Sequence, residues 1–278
     1  QYETLAEAIL LAQPGDTITL LTDVTEDVTF NKALTLDGAD KTYTGKMNLT
    51  ANVTIKNVNF DGKGGGDYAV ETRGANTVVI EDCTATAYAY GFLQIAQSNN
   101  STIVRNVTVS NMNYGVKIDH SNSVTLENVT LDCAVAGVLN SNYGTKTITV
   151  KDSYLSILGT WTRNDTIKTT IVFEGDNTVD EFIIDETIDI FKLADVNSTL
   201  AAPNDVTVVA DVEDYEVVYE NGSYKLAEAK KVYVAQIVDT LYETLQDAID
   251  AAQSGDTITL VKGINIADVA VDTLGGKY

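Results

Sequence analysis

The chain has 278 residues, with 18 Lys and Arg against 40 Asp and Glu and a formal net charge of −22. Such an excess of negative charge repels phosphates, which argues against nucleic acid and anionic membrane as partners. It equally disfavours bare polyanionic glycans unless divalent cations bridge the two surfaces, although acidity also serves as a plain solubility device.

The first predicted element is a capping helix within 1–17. Leu5, Ala8, Ile9 and Ala12 fall on one face of a helical wheel, and Thr4 with Glu7 forms a capping-box pattern. Pro14-Gly15-Asp16 then turns the chain into a strand, TITL.

From 18 to 210 a short phrase dominates: apolar–x–apolar–x–Asn/Asp, then apolar–x–apolar. It reads VTIKNVNF from Val53, VVIEDCTA from Val78, TIVRNVTV from Thr102, VTLENVTL from Val124 and TITVKDSYL from Thr147. The polar residue stands at Asn57, Asp82, Asn106, Asn128 and Asp152, at intervals of 25, 24, 22 and 24 residues. β-rich units with that period read as one coil of a solenoid each. Alternation divides a coil into short strands, Val53/Ile55, Val58/Phe60 and Tyr68/Val70, whose apolar side chains stack into continuous stripes. Asn or Asp suits the corner between the first two strands, because both tolerate a left-handed backbone and bond neighbouring groups. A second column of small residues, Ala69, Gly91, Gly115, Gly137 and Gly159, is expected to run in step.

These stacked aliphatic residues and the polar ladder resemble the right-handed, single-stranded parallel β-helix of the pectin-lyase-like superfamily, in which an asparagine ladder lies inside. The fold expected is therefore all-β, a right-handed parallel β-helix of about 22–25 residues per coil. Cys83 and Cys133 fall two coils apart. At about 4.8 Å per rung that is too far for a relaxed disulfide, so two buried free thiols are expected.

Residues 211–227 read as a closing hairpin with Asn221-Gly222 at its turn. Residues 228–278 read as a linker strand followed by a second capping unit, since 242–261 matches 2–21 at 14 of 20 positions. Such helix–strand openings are similar to those of modular surface proteins of anaerobic microbes. The second unit is expected either to begin another module or to dock to a neighbour. With Gln1 first, the expectation is a chain whose leader was removed or a piece of a longer one. No stretch has the length of apolar helix that spans a bilayer, so no membrane insertion is expected.

Enzymes of the resembled superfamily set requirements that the residues can be tested against. A lyase needs a basic proton abstractor, and the arginines are Arg73, Arg105 and Arg163, none with a compact acidic cluster in its own segment. The hydrolase motifs Asn-Thr-Asp, Asp-Asp, Gly-His-Gly and Arg-Ile-Lys are absent. His120, the single histidine, lies among Asp119, Ser121 and Asn122 and reads as a polar turn rather than a catalytic base. Asp61 and Asp67 bracket a Gly-rich segment loosely like a Ca²⁺ loop but without its alternating ligands, so they are weak metal candidates and no cofactor is expected beyond an occasional Ca²⁺.

Tyr68, Tyr90 and Tyr114 precede the small residues and, by parity with Val116 and Val138, are assigned to the core. Tyr143 and Trp161, in polar loops, are the candidate ligand contacts. The functional expectation is a non-catalytic module at the cell surface or outside the cell, a stalk, adhesin or surface-layer element with glycans or surface proteins as partners. The alternatives are a carbohydrate-active enzyme with an unrecognised site and a subunit that self-associates head to tail.

Overall fold

The computed structural model describes residues 1–74, 77–97, 99–141, 147–161, 169–184 and 190–261. The chain divides into two compact units, 1–227 and 228–278.

The first unit is a right-handed parallel β-solenoid of about seven turns. Each coil contributes to three parallel sheets, and each sheet is held by pairing between residues one coil apart. In the first sheet Leu36, Ile55, Ile80, Val104, Leu126, Val150 and Phe173 are in register, and all are fully buried. The second sheet stacks Tyr43, Phe60, Ala85, Val109, Leu131, Leu155 and Val179. The third stacks Met47, Val70, Leu93, Val116, Val138, Leu158 and Phe182. Aromatic rings thicken the early rungs, Phe60 standing edge-on to Tyr43 at 5.8 Å and to Phe92 at 5.5 Å.

The corner between the first two sheets is made by the polar residue of the repeated phrase. Asn57, Asp82, Asn106, Asn128 and Asp152 all have φ between +47° and +55°. Strand alternation alone would place one residue between two inward side chains. Here two intervene, as Arg105 and Asn106 do between Val104 and Val107, and the left-handed residue turns the strand so that both flanking valines point inward. The same turn throws the Asn/Asp side chains outward: Asp82, Asn106, Asn128 and Asp152 are exposed and Asn57 is half-buried. The ladder therefore lies outside the core, not inside as the family resemblance implied.

One expected column is corrected. Gly91 pairs with Tyr68 on one side and Tyr114 on the other, and Tyr114 pairs with Ala136, so Gly91 and Gly115 do not share a column. Likewise Gly159 pairs with Leu139. The connection into the third sheet varies in length from coil to coil, so counting to the small residue loses register; between the coils of Tyr90 and Tyr114 it differs by one residue, and the parity of Tyr90 with Val116 fails.

Both ends of the solenoid carry covers. Helix α1 (Leu5–Leu11) buries Leu5, Ala8 and Ile9, and Leu5 and Ile9 join the solenoid core. Thr4 Oγ1 accepts from Glu7 N at 3.1 Å, as the capping-box pattern predicts. Two residues remote in sequence complete the caps. The Glu26 carboxylate accepts from Leu5 N at 2.9 Å and Ala6 N at 3.1 Å. At the other end Lys32 Nζ donates to the carbonyls of Ile9, Leu10 and Ala12 at 3.1, 2.6 and 2.9 Å. An anion at the N-terminus and a cation at the C-terminus both oppose the helix dipole.

At the far end the strand Ser223–Glu228 pairs antiparallel with Thr199–Ala201, where the stacking of coils is otherwise parallel. The turn before it holds Asn221 at φ +50° and Gly222 at φ +79°, the geometry expected of a two-residue hairpin loop. Tyr224 is buried beside it and donates its hydroxyl to Val206 O at 2.8 Å.

The second unit holds helix α2 (Leu245–Ala251) and an antiparallel sheet in which Ala235–Ile237 pairs with Thr240–Tyr242 and with Ile258–Leu260. The linker strand expected at the start of this unit begins at Ala235.

Lys32→Ala should strip the C-terminal cap of α1 and cost about 1–2 kcal/mol locally. Faster amide exchange confined to 5–12, with the inner coils unchanged, is the expected result. Both cysteines are buried and unpaired, and burial pushes each thiol up to about 12 from an ordinary value near 9. Ellman titration at pH 8 should accordingly find almost no fast-reacting thiol in the native protein and two after denaturation.

Candidate functional site

The outward face of the first sheet carries a column that alternates in sign. Asp37, Lys56, Glu81, Arg105, Glu127, Lys151 and Glu174 are successive register partners. Lys56 Nζ stands 3.4 Å from Asp37, Lys151 Nζ 3.2 Å from Glu127, and Arg105 donates Nε to Glu81 at 2.6 Å with its Nη2 against the same oxygen. Hydrogen bonding to Glu81 raises the Arg105 pKa, and bonding to Glu127 raises that of Lys151. Each charge from Lys56 to Lys151 thus has an opposite charge above and below, which favours this stacking over any like-charge arrangement.

Beside it runs the corner ladder. Asn57 Nδ2 donates to Asp37 Oδ1 at 3.0 Å, Asn106 to Asp82 at 2.9 Å and Asn128 to Asn106 at 2.9 Å. Asp152 Oδ1 accepts from Asp176 N at 3.0 Å. The next coil has Gly175 at this corner, with φ +66°, and a Cβ there would lie 2.0 Å from Asp152 Oδ1. The Asn57 amide, ahead of the Ala39 N–H and Lys56, holds the Asp37 carboxyl below its usual range.

The alternation was legible in sequence: the residue before each corner position reads Lys, Glu, Arg, Glu, Lys, Glu at 56, 81, 105, 127, 151 and 174. Attention to the corner residue alone passes over it.

The outward face of the third sheet holds a different constellation. Glu71 is 3 % exposed, the one charged side chain in the buried set of the described residues. Lys46 Nζ sits against Glu71 Oε2 and 3.5 Å from Asp67. Arg73 Nη2 lies against Glu71 Oε1 without an aligned hydrogen bond. Gln94 and Lys117 follow Glu71 in the column. Gln94 Nε2 donates to Asp119 Oδ2 at 2.9 Å, and Lys117 Nζ stands 3.4 Å from the same oxygen.

Tyrosines border this cluster. Tyr68 is buried, Tyr114 half-buried and Tyr90 55 % exposed. The core assignment of the three therefore fails at Tyr90, for the register reason given above. Tyr68 and Tyr90 rings lie 5.9 Å apart, and burial, then the neighbouring Tyr114, Asp119 and Asp67, raise the Tyr68 pKa. His120 is half-buried at the turn after Lys117–Asp119, and its backbone N–H donates to Ile95 O at 3.2 Å.

The remaining sequence candidates scatter. Trp161 is 53 % exposed, and its backbone N–H donates to Asn140 O at 2.7 Å. Tyr143 and Arg163 lie outside the described residues. Asp61 Oδ1 accepts from Lys63 N at 2.9 Å, an ordinary turn, and Asp67 faces Lys46 rather than Asp61. Among the described residues no group of three or more His, Cys, Asp or Glu converges as a metal site.

In chemical terms the cations of these two columns, Lys56, Arg105, Lys151, Lys46, Arg73 and Lys117, are held against carboxylates. A guanidinium or ammonium held against a carboxylate stays protonated, which opposes its use as a proton abstractor. What the faces offer instead is an array of fixed, paired charges with an exposed aromatic ring at one border.

Three sheets wound in parallel with aliphatic stacks inside define a β-solenoid. Residues 23–154, just under half of the chain, match the family model described as right handed beta helix region. That match, together with the fold, supports kinship of the solenoid with the right-handed parallel β-helices of the pectin-lyase-like superfamily; the right-handed β-helix region occurs both in enzymes such as pectate lyases and in non-enzymes. No curated protein and no solved structure matches the chain.

Asn128→Ala removes a ladder bond and places a Cβ-only residue at φ +50°; the expected cost is about 1–2 kcal/mol, with Asn128→Gly losing roughly half as much. Denaturation midpoints of the two variants measure the difference. Arg105→Glu would set three glutamates in a row at 81, 105 and 127. Its midpoint should drop at low ionic strength and largely recover in 1 M NaCl, where the screening length falls to about 3 Å.

Proposed function

We propose that the chain is a non-catalytic, rigid module displayed at the cell surface or outside the cell, where it acts as a stalk or adhesion element toward glycans or surface proteins. One observation carries the reading: the polar side chains of the outward faces are spent on one another, rung to rung. Glu81 holds Arg105, Glu127 holds Lys151, and Glu71 holds Lys46 and Arg73. Groups arranged for catalysis would instead be poised toward an open cleft with a shifted, unpaired acid or base.

Contacts with a partner then fall to exposed aromatics, Trp161 and Tyr90 first, which can stack on sugar faces. The net charge of −22 favours neutral glycans over acidic ones.

Incubation with a panel of plant and host polysaccharides, read by reducing ends and by ultraviolet absorbance of unsaturated products, is expected to show no turnover. Robust turnover of any member would replace this reading with a carbohydrate-active enzyme. Because Trp161 is the only tryptophan, its fluorescence reports directly on binding. A saturable blue shift with neutral oligosaccharides is expected; an unchanged spectrum across the panel would remove Trp161 from the contact surface.

A further inference from the structure

One stretch of the chain belongs to neither apolar interior. The core of the first unit ends in sequence at Tyr224, with Leu226 packed against it, and the core of the second starts with Val234 against Ala235 and Ile237. Residues 227–233 take part in neither. The closing strand ends at Glu228 and the next begins at Ala235, so 229–234 lies outside every strand and helix.

The same stretch carries charge of the scarcer sign. Lys230-Lys231 is the only pair of adjacent basic residues among the 18 Lys and Arg of the chain, and 229–238, AKKVYVAQIV, contains none of its 40 Asp and Glu. Lys230, Lys231 and Val232 are all exposed. Lys231 Nζ stands 3.3 Å from Glu243 Oε1, an exposed ion pair of the kind that costs little to open.

Endopeptidases take their substrate as an extended strand, which coils bonded to neighbours on both sides cannot supply without unfolding. The seven residues 227–233, at about 3.3 Å each, give about 23 Å of such chain. A protease cleft with carboxylates at two successive subsites would be repelled by a molecule of net charge −22 and attracted to this one pair.

We propose that Lys230-Lys231 is a processing site, cut after Lys231 by a serine endopeptidase whose cleft reads two adjacent basic residues. The protease hydroxyl adds to the Lys231 carbonyl carbon and the C–N bond to Val232 breaks. The Val232 amine leaves with the hydroxyl's proton, and one water then returns a proton to the enzyme and releases the Lys231 carboxyl group. The cut detaches 232–278 and leaves in place the strand Ser223–Glu228, whose pairing with Thr199–Ala201 closes the solenoid. It removes no residue of the first core.

The native full chain, incubated with a subtilisin-type endopeptidase selective for paired basic residues and followed by intact mass, tests this. The first products expected are 1–231 and 232–278, with kcat/KM within tenfold of that for a synthetic peptide of residues 225–237. Lys231→Gln should abolish the cut and Lys230→Gln should slow it at least tenfold, both with native circular dichroism. The denaturation midpoint of the solenoid should be the same before and after cutting. A native chain left intact, a first cut at any other bond, or a Lys230→Gln chain cut at the original rate would overturn the proposal, the last by reducing the stretch to an exposed segment in which the pair is not read. A midpoint that falls on cutting would also overturn it, by making 227–233 part of the solenoid's stability.

Discussion

The structure depends on register between coils. A parallel strand has side chains of period two, so slipping one residue against the coil below would turn every inward aliphatic outward. The left-handed corner residue enforces that register, because it places two outward positions between two inward ones at the same point of each coil. With φ near +50° at Asn57, Asp82, Asn106, Asn128 and Asp152, five successive coils bend at the same place. The core stacks are a consequence of that bend as much as of hydrophobicity.

Once register is fixed, the outside of the solenoid becomes one-dimensional. A residue type repeated every 22–25 positions stands about 4.8 Å from its own kind, so like charges would collide at every rung. The chain avoids this by alternating Lys or Arg with Glu or Asp from 37 to 174, and by alternating amide and carboxylate at part of the corner. A molecule with −22 net charge thus spends three of its 18 cations, Lys56, Arg105 and Lys151, on this column. Each exposed pair contributes little by itself. As a periodic array the pairs specify how coils stack.

Open ends are the weakness of such a stack, since each leaves unpaired backbone groups. The far end is closed by reversing one strand, Ser223–Glu228. The near end is closed by α1 and fixed by two ions, Glu26 and Lys32, that come from the first coil itself. The second copy of the phrase shows that the helix–turn–strand piece folds on the same local bonds in a different setting, and that what differs is the strand laid beside it.

The sequence by itself determined the coil: its period, its alternation, its corner residue, its capping box and its Asn-Gly hairpin turn are all local, set by side-chain periodicity and backbone preference within a few residues. It also held the charge alternation, although that appears only when the coils are aligned. The three-dimensional stacking decided what depends on contacts a full coil or more apart. Whether the corner ladder faced in or out followed from which neighbours already filled the interior, and whether Tyr90 was core or surface followed from a one-residue difference in loop length. The burial of Glu71 between Lys46 and Arg73, and the clamping of α1 by Glu26 and Lys32, join residues that no local pattern connects. Parallel stacking brings them together because its hydrogen bonds run between coils rather than along the chain.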